Sequence, residues 1–205
     1  TEAAALEQGA TGAGRVALAA VVGYQFCLRA ESLLTLRMAD VSVDLLDAPN
    51  GVISVTLARE KGRNKGQRGG PRSVRVPTTN LPLFTQRLRR WVELRRAPGS
   101  HPSLFLWALP GDTPSRWEAS KVLTSWLRMA VAGLGGEAPA GPFSAHSLRA
   151  GAASDMSATG VPLPQIRHHG GWAADSPVLH DYIDPAVVDS AAAQKFWRWL
   201  RPTRS

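Results

Sequence analysis

The sequence predicts an α+β fold that is mainly helical and carries a small three-stranded antiparallel sheet. Apolar and polar residues alternate over residues 41–46 and again over 52–57, and Val74 and Val76 continue the pattern in a third short segment. Such alternation is typical of strands with one buried face. Residues 47–51, Asp-Ala-Pro-Asn-Gly, have the composition of a turn between the first two strands. Most of the remaining chain shows helical periodicity.

Helices are predicted before the first strand and after the third strand in the chain. The first, at 14–28, is apolar on most of its faces and is therefore expected to be buried. Further helices are expected at 31–37, 81–96, 115–134, 144–158 and 185–200, with short helical pieces after Pro162, Pro164 and Pro177. Ser144 is the predicted N-cap of the helix that runs to residue 158, and Gly160 is expected to end it.

Two segments are predicted to lack regular structure. Residues 1–13 are rich in Ala and Gly and are expected to form a loosely ordered lead-in. Residues 59–70, between the second and third strands, combine Gly with Arg and Lys, which indicates an exposed, mobile hairpin loop.

Basic residues dominate the charge of the 205-residue chain. It has 24 Lys and Arg against 16 Asp and Glu, which gives a formal net charge of +8. Arginine accounts for 20 of the basic residues and lysine for only 4. This excess of positive charge favours a polyanionic partner, with nucleic acid ahead of an anionic membrane surface.

The composition also excludes several classes of protein. Hydrophobic residues make up 44% of the chain and charged residues 20%, as in ordinary folded proteins, which excludes wholesale disorder. The single cysteine, Cys27, excludes a disulfide framework and a four-cysteine zinc site. The apolar stretch between Arg15 and Arg29 is 13 residues long, too short to span a bilayer.

Residues suited to catalysis are concentrated in the last third of the chain. His146 and Arg149 are three residues apart on one predicted helix, so their side chains project from the same face. Gly170-Gly171-Trp172 follows, and Tyr182 comes ten residues after Trp172. Arg29 lies far upstream, at the start of a segment rich in leucine.

Together these segments resemble the signature of the tyrosine recombinases, the phage integrase family. Residues 28–41 are similar to the family's first arginine box, and residues 145–153 to the box around its histidine and second arginine. Gly160, Ile166, Gly170-Gly171-Trp172 and Tyr182-Ile183 complete the match. The similarity runs in the family's order from about residue 14 to residue 182, and the Gly-Gly-Trp segment most resembles that of the Cre-like branch.

The resemblance implies a site-specific recombinase that cuts and rejoins DNA through a 3′-phosphotyrosine intermediate. Tyr182 would be the nucleophile. Arg29 and Arg149 would bind the non-bridging phosphate oxygens, a task that suits permanently charged, planar guanidinium groups. His146 would either donate to a phosphate oxygen or move the tyrosine proton. Trp172 would donate from its indole N–H to the phosphate or serve mainly as a packing residue.

The resemblance also assigns a proton donor for the leaving 5′-oxygen. Lys61 stands where the family has its hairpin lysine, and Lys65 is a rival four residues on. Glu31 is expected to play a supporting part, as an ion-pair partner that holds an arginine or a histidine in place. No cofactor is implied, because the energy of the broken phosphodiester is kept in the phosphotyrosine. No metal site is expected either, since Glu31 has no ligand-type neighbours at a suitable spacing.

The family's organisation implies what this chain binds and where its domain lies. Double-stranded DNA is the expected partner, bound by a homo-oligomer of two to four copies, and no membrane is involved. Residues 14–184 would be the catalytic domain, with the N-terminal core-binding domain of the family absent from this chain. Residues 185–205 would dock on a neighbouring protomer or fold back on their own domain. The expected location is the cytoplasm, with the protein encoded by a bacterium, a phage or a plasmid and associated with the nucleoid when it is active.

Several alternatives stay open from the sequence. The chain is also compatible with a DNA-binding protein that has kept the fold without activity, or with a relaxing enzyme of the type IB topoisomerase class. The basic face of residues 87–96 either contacts the DNA backbone or is only solvated. His168 and His169 are adjacent on a helix and so point to different faces, which disfavours a metal pair.

Overall fold

The computed structural model of the chain describes residues 13–42, 51–57, 71–77, 82–96, 101, 103–108, 112, 118–132 and 143–184. The helices are α1 (Ala13–Gln25), α2 (Ala30–Leu34), α3 (Pro82–Arg95), α4 (Ala119–Ala132), α5 (Ser147–Ala158) and α6 (Leu163–Gly170). Two 3₁₀ helices are formed by Met38–Asp40 and Pro177–Tyr182. The strands are β1 (Val41–Ser42), β2 (Val52–Leu57) and β3 (Arg72–Pro77). A mainly helical chain with a small sheet is the predicted fold class.

The three strands form one antiparallel sheet in the order β1-β2-β3, which confirms the predicted sheet. Val55 pairs with Val41 on one side and with Val74 on the other. Every second residue of β2 and β3 is buried, as the alternation of the sequence predicts. The first inward-facing residue of β3 is not apolar, however: it is Arg72.

Two hydrophobic clusters make up the described core. The larger one joins the inner face of the sheet to α1, α2, α3 and α4. The smaller one lies between α5, α6 and the second 3₁₀ helix, and consists of Cys27, Ala152, Ala153, Met156, Ile166, Trp172 and Leu179. Tyr182 packs against this smaller cluster. The C-terminal residues of the sequence motif therefore share a small core of their own.

Helix α1 packs closely against both α2 and α5 at Gly23. A Cβ atom at this position would lie 2.8 Å from Leu33 Cδ2 and 3.0 Å from Leu148 Cδ1. Those side chains belong to α2 and to the first turn of α5, so both helices approach the α1 backbone at this glycine. The first turn of α5 is thereby fixed relative to the N-terminal half of the domain.

The prediction of a helix over 31–37 is wrong in length, because α2 ends at Leu34. Beyond it the chain bonds to a distant segment. The Leu106 N–H donates to the Leu36 carbonyl at 2.7 Å, and the Met38 N–H donates to the Leu104 carbonyl at 2.9 Å. These bonds to residues about 70 positions away replace the hydrogen bonds of a continued helix.

The predicted N-cap of α5 is also wrong. His146, not Ser144, is the residue before the first helical position, and its side chain makes no capping hydrogen bond. Ser144 lies two residues earlier, where its carbonyl accepts from the Ser147 N–H at 3.0 Å and its hydroxyl from the His146 N–H at 3.3 Å. The end of the helix is as predicted, with Gly160 in the left-handed region at a φ of 76°.

Other predicted elements differ only at their ends or lie outside the described residues. Helix α1 ends at Gln25 rather than at residue 28, and α4 begins at Ala119. Residues 43–46 of the first strand, the hairpin loop 59–70 and the helix 185–200 lie outside the described residues. Within the described part of the chain, no helix is both long enough and apolar enough to cross a membrane.

Candidate active site

His146 and Tyr182 are brought together by the junction of α5 with the second 3₁₀ helix. His146 is the exposed N-cap of α5, and Tyr182 is the last residue of the 3₁₀ helix, 36 positions later in the chain. The His146 Nδ1 atom lies 3.3 Å from the Tyr182 hydroxyl oxygen. This distance permits a hydrogen bond in either direction, depending on which imidazole nitrogen carries the proton.

Arg149 lies against the Tyr182 ring and is only 2% exposed. Its Nη1 donates to the Cys27 carbonyl at 2.5 Å and to the Gly170 carbonyl at 2.7 Å. A buried charge needs such partners, because an unpaired one would be strongly unfavourable. The two bonds fix the guanidinium group between the end of α1 and the end of α6. The resemblance implies an arginine fork open to phosphate, whereas the structure places Arg149 beneath aromatic rings.

Trp172 separates Arg149 from solvent. The Arg149 guanidinium carbon lies 3.6 Å from the centre of the Trp172 ring system and 5.5 Å from that of the Tyr182 ring. The two aromatic rings meet edge to face, with centres 5.3 Å apart. Contacts of a cation with aromatic faces are favourable, the more so where water is excluded. Trp172 therefore packs against both the charge and the tyrosine.

The position of Trp172 depends on the two glycines before it. Gly170 is buried, and a Cβ atom there would lie 1.9 Å from Trp172 Cζ3, a distance that no side chain tolerates. Gly171 ends α6 in the left-handed region, with a φ of 69°, which glycine adopts without strain. The Trp172 N–H then donates back to the Arg167 carbonyl at 2.9 Å. The Gly-Gly-Trp segment is thus a helix end that turns the indole onto the helix backbone.

Arg29 is the N-cap of α2, two residues after the Cys27 carbonyl that Arg149 binds. Its side chain is half-buried, and its Nη1 is buried without a hydrogen-bond partner in the described part of the chain. A buried guanidinium nitrogen without a partner is unfavourable, so this atom is suited to an anionic ligand.

The pKa of the Cys27 thiol is affected by three nearby arginines. Burial raises the pKa of its thiol to about 11, and the positive charges of Arg149, Arg72 and Arg29 partly offset that effect. The thiol is therefore neutral at physiological pH and unsuited to nucleophilic attack. Its surroundings place Arg29 in the same positively charged region as Arg149.

Arg72 is the buried arginine that the sequence analysis missed. From the start of β3, its Nη1 donates to the His169 carbonyl at 2.5 Å and lies 3.4 Å from the His168 carbonyl oxygen. With Arg149 on the Gly170 carbonyl, two cations cap the carbonyl end of α6, where the helix dipole is negative. The signal available in the sequence was an arginine at an inward position of an alternating strand.

The two adjacent histidines of α6 face different surroundings. His168 is exposed, whereas the His169 Nε2 donates to the Gln25 carbonyl at 2.8 Å. Burial lowers the pKa of His169, so its ring is neutral at physiological pH. Among the described residues, no group of three or more His, Cys, Asp and Glu side chains is arranged to hold a metal ion.

Tyr24 occupies a different environment from Tyr182. Its half-buried hydroxyl donates to the carboxylate of Asp155, in the middle of α5. Burial raises the pKa of Asp155 to about 6. Tyr24 packs against the smaller cluster, and its hydroxyl is held by a carboxylate and not by His146.

The predicted site residues fall into three groups. His146 and Trp172 each contact Tyr182, and Arg149 contacts the rings of Trp172 and Tyr182. Arg29 lies in the same positively charged region as Arg149. Glu31 is exposed and forms no ion pair with any described residue. Lys61 and Lys65 lie outside the described residues.

Comparison with known proteins finds one family model that covers most of the chain. A family model described as the phage integrase family matches residues 4–187, which include the described site. No curated protein matches the chain.

Proposed function

Because the chain belongs to the phage integrase family, we propose that it is a site-specific recombinase whose Tyr182 forms a covalent bond to DNA. The observation that carries the proposal is the contact between the Tyr182 hydroxyl and His146 Nδ1 at 3.3 Å, beside the buried charge of Arg149. A tyrosine hydroxyl, a group able to take its proton and a fixed cation are what attack on a phosphodiester requires.

In the cleavage step, the Tyr182 oxygen forms a bond to phosphorus as the bond from phosphorus to the 5′-oxygen breaks. The tyrosine proton passes to His146, and the leaving 5′-oxygen takes a proton from a lysine of the hairpin. The product is a 3′-phosphotyrosine and a free 5′-hydroxyl. Attack by the 5′-hydroxyl of a second strand reverses these transfers and rejoins the DNA, so that no nucleotide cofactor is consumed.

The two arginines stabilise the charge that develops on the phosphate oxygens. The Nη1 atom of Arg29, which has no hydrogen-bond partner among the described residues, is the direct phosphate ligand in this proposal. Arg149 supplies a fixed positive charge behind the rings of Trp172 and Tyr182. A preorganised donor of this type contributes about 3–4 kcal/mol to transition-state stabilisation.

Strand exchange also requires partners. Two DNA sites must be held together while strands are passed between them, so we propose that the active form is a homo-oligomer of two to four copies on double-stranded DNA. Residues 185–205, with apolar side chains at Phe196, Trp197, Trp199 and Leu200, are the proposed segment that docks on a neighbouring copy.

The test is to trap the protein on fragmented genomic DNA with denaturant and to map the covalent adducts by sequencing. A site-specific recombinase gives adducts at one sequence or a few related ones. Adducts spread along all DNA, together with relaxation of a plasmid that lacks the mapped sequence, identify a type IB topoisomerase-like enzyme instead. Binding without any adduct identifies a non-catalytic DNA-binding protein.

Lys61→Ala is expected to slow cleavage of an ordinary substrate by about 10²–10⁴-fold, the usual contribution of a general acid. A substrate with sulfur in place of the 5′-bridging oxygen should restore the rate, because a thiolate leaves without a proton. Lys65→Ala is the matched control, and it should cleave both substrates at close to the wild-type rate. The loss and rescue appearing in Lys65→Ala instead would assign the proton transfer to Lys65.

A further inference from the structure

Ser154, in helix α5, binds the backbone on both sides of Ile183, the residue directly after Tyr182. Its hydroxyl donates to the Tyr182 carbonyl at 3.1 Å and accepts from the Asp184 N–H at 2.8 Å. The side chain is 1% exposed, and so belongs to the interior of the domain. One hydroxyl group thus satisfies a donor and an acceptor of the same short segment.

Helix α5 and its N-cap therefore hold the tyrosine at two points. At the N-terminus, His146 Nδ1 lies 3.3 Å from the Tyr182 hydroxyl oxygen, and two turns further on Ser154 binds the Tyr182 carbonyl. The carbonyls at a helix end have no partner within the helix, so the end of a short 3₁₀ helix depends on bonds from outside. At Tyr182, Ser154 supplies that bond.

We propose that Ser154 is a positioning residue for the reaction, one that fixes the Tyr182 backbone so that the hydroxyl stays against His146. This inference rests on the proposed role of Tyr182 as nucleophile. Ser154 touches neither the phosphate nor the hydroxyl that reacts. It acts by restricting where the tyrosine can move, because small misplacements of a reacting group slow the chemistry strongly.

The inference predicts a change in the chemical step and not in DNA binding. Ser154→Ala is expected to lower the rate of adduct formation at saturating DNA by about 10-fold or more, on the scale reported for small misplacements of reacting groups. The Kd for DNA should stay within about twofold, since no DNA contact is removed. Ser154→Cys replaces the hydroxyl with a slightly larger thiol that makes weaker hydrogen bonds, and should be slow as well. Ser154→Thr keeps the hydroxyl and should recover most of the rate.

Ser157→Ala is the matched control, since Ser157 lies on the same helix and its hydroxyl makes no hydrogen bond to a described residue. It should cleave at the wild-type rate. Amide hydrogen exchange adds a readout at the bond itself: in Ser154→Ala the Asp184 amide should exchange about 10-fold faster or more, because its acceptor is gone, while Ser157→Ala should leave it unchanged.

The inference is overturned if Ser154→Ala forms adducts at the wild-type rate, or if its slow rate is matched by Ser157→Ala or explained by weaker DNA binding. Failure of the proposed function gives a different result. If Tyr182→Phe still forms adducts, Tyr182 is not the nucleophile, whatever the result for Ser154→Ala. If Tyr182→Phe forms no adducts and Ser154→Ala forms them at the wild-type rate, only the positioning role is overturned.

Discussion

Tyr182→Phe is expected to abolish covalent protein–DNA adducts on a nicked suicide substrate, with a loss of about 10⁴-fold or more, as for removal of a catalytic nucleophile. The change deletes only the hydroxyl that faces His146 Nδ1. The phenylalanine ring keeps the edge-to-face packing on Trp172 and its place over Arg149. DNA affinity and the free energy of unfolding should therefore stay close to those of the wild type.

Tyr24→Phe is the matched control for this experiment, because it removes the hydroxyl of the other tyrosine of the chain. That hydroxyl donates to Asp155 and not to His146. The variant should form adducts at the wild-type rate, although the lost hydrogen bond to a carboxylate costs about 1.5–3 kcal/mol of stability. Adducts that persist in Tyr182→Phe and vanish in Tyr24→Phe would reverse the assignment of the nucleophile.

Arg149→Lys is expected to slow cleavage by about 10²–10³-fold at saturating DNA, the loss typical of one preorganised charge at a reacting centre. A lysine keeps the charge but not the planar group that lies 3.6 Å from the centre of the Trp172 ring system while bonding to two carbonyls. Trp172 and Tyr182 lose their fixed support, so the tyrosine and the charge are no longer held together. The measurement is the single-turnover rate of adduct formation.

Arg72→Lys is the control that distinguishes the loss of the Arg149 contacts at the tyrosine from a general destabilisation of α6. Both arginines donate to carbonyls at the end of that helix, and replacing either should cost about 1–3 kcal/mol of stability. Only Arg149 contacts the rings of Trp172 and Tyr182, so Arg72→Lys should keep its cleavage rate within about tenfold, since it removes no group at the reacting centre. Equal losses in the two variants would show that the position of α6 matters, and not the planar guanidinium group beside the tyrosine.

Periodicity predicted the sheet well and the helix ends less well. The alternation in β2 and β3 predicts which residues face inward, because the side chains of any strand alternate whatever its surroundings. Helix α2 is shorter than predicted because the residues after Leu34 bond to residues 104–106. The leucines that suggested a longer helix are buried, but Leu36 is buried outside a helix.

The motif residues were predicted by their resemblance to a family and not by local pattern. His146, Arg149, Trp172 and Tyr182 do lie together, although single residues of these types are common in cores. Their contacts depend on how α5, α6 and the 3₁₀ helix pack. The sequence offered no comparable signal for Ser154, since a buried serine in a helix resembles any other small residue.

Local spacing along the chain was enough to predict the order of the elements and the inward faces of the strands, and the family resemblance predicted the residue types of the candidate site. The folded structure was needed to show that Arg149 is buried beneath two rings, that Arg72 caps α6 and that Ser154 binds the Tyr182 backbone. Each of these contacts joins residues between 23 and 97 positions apart. Such contacts follow from the packing of several helices at once, which the periodicity of any one segment does not encode.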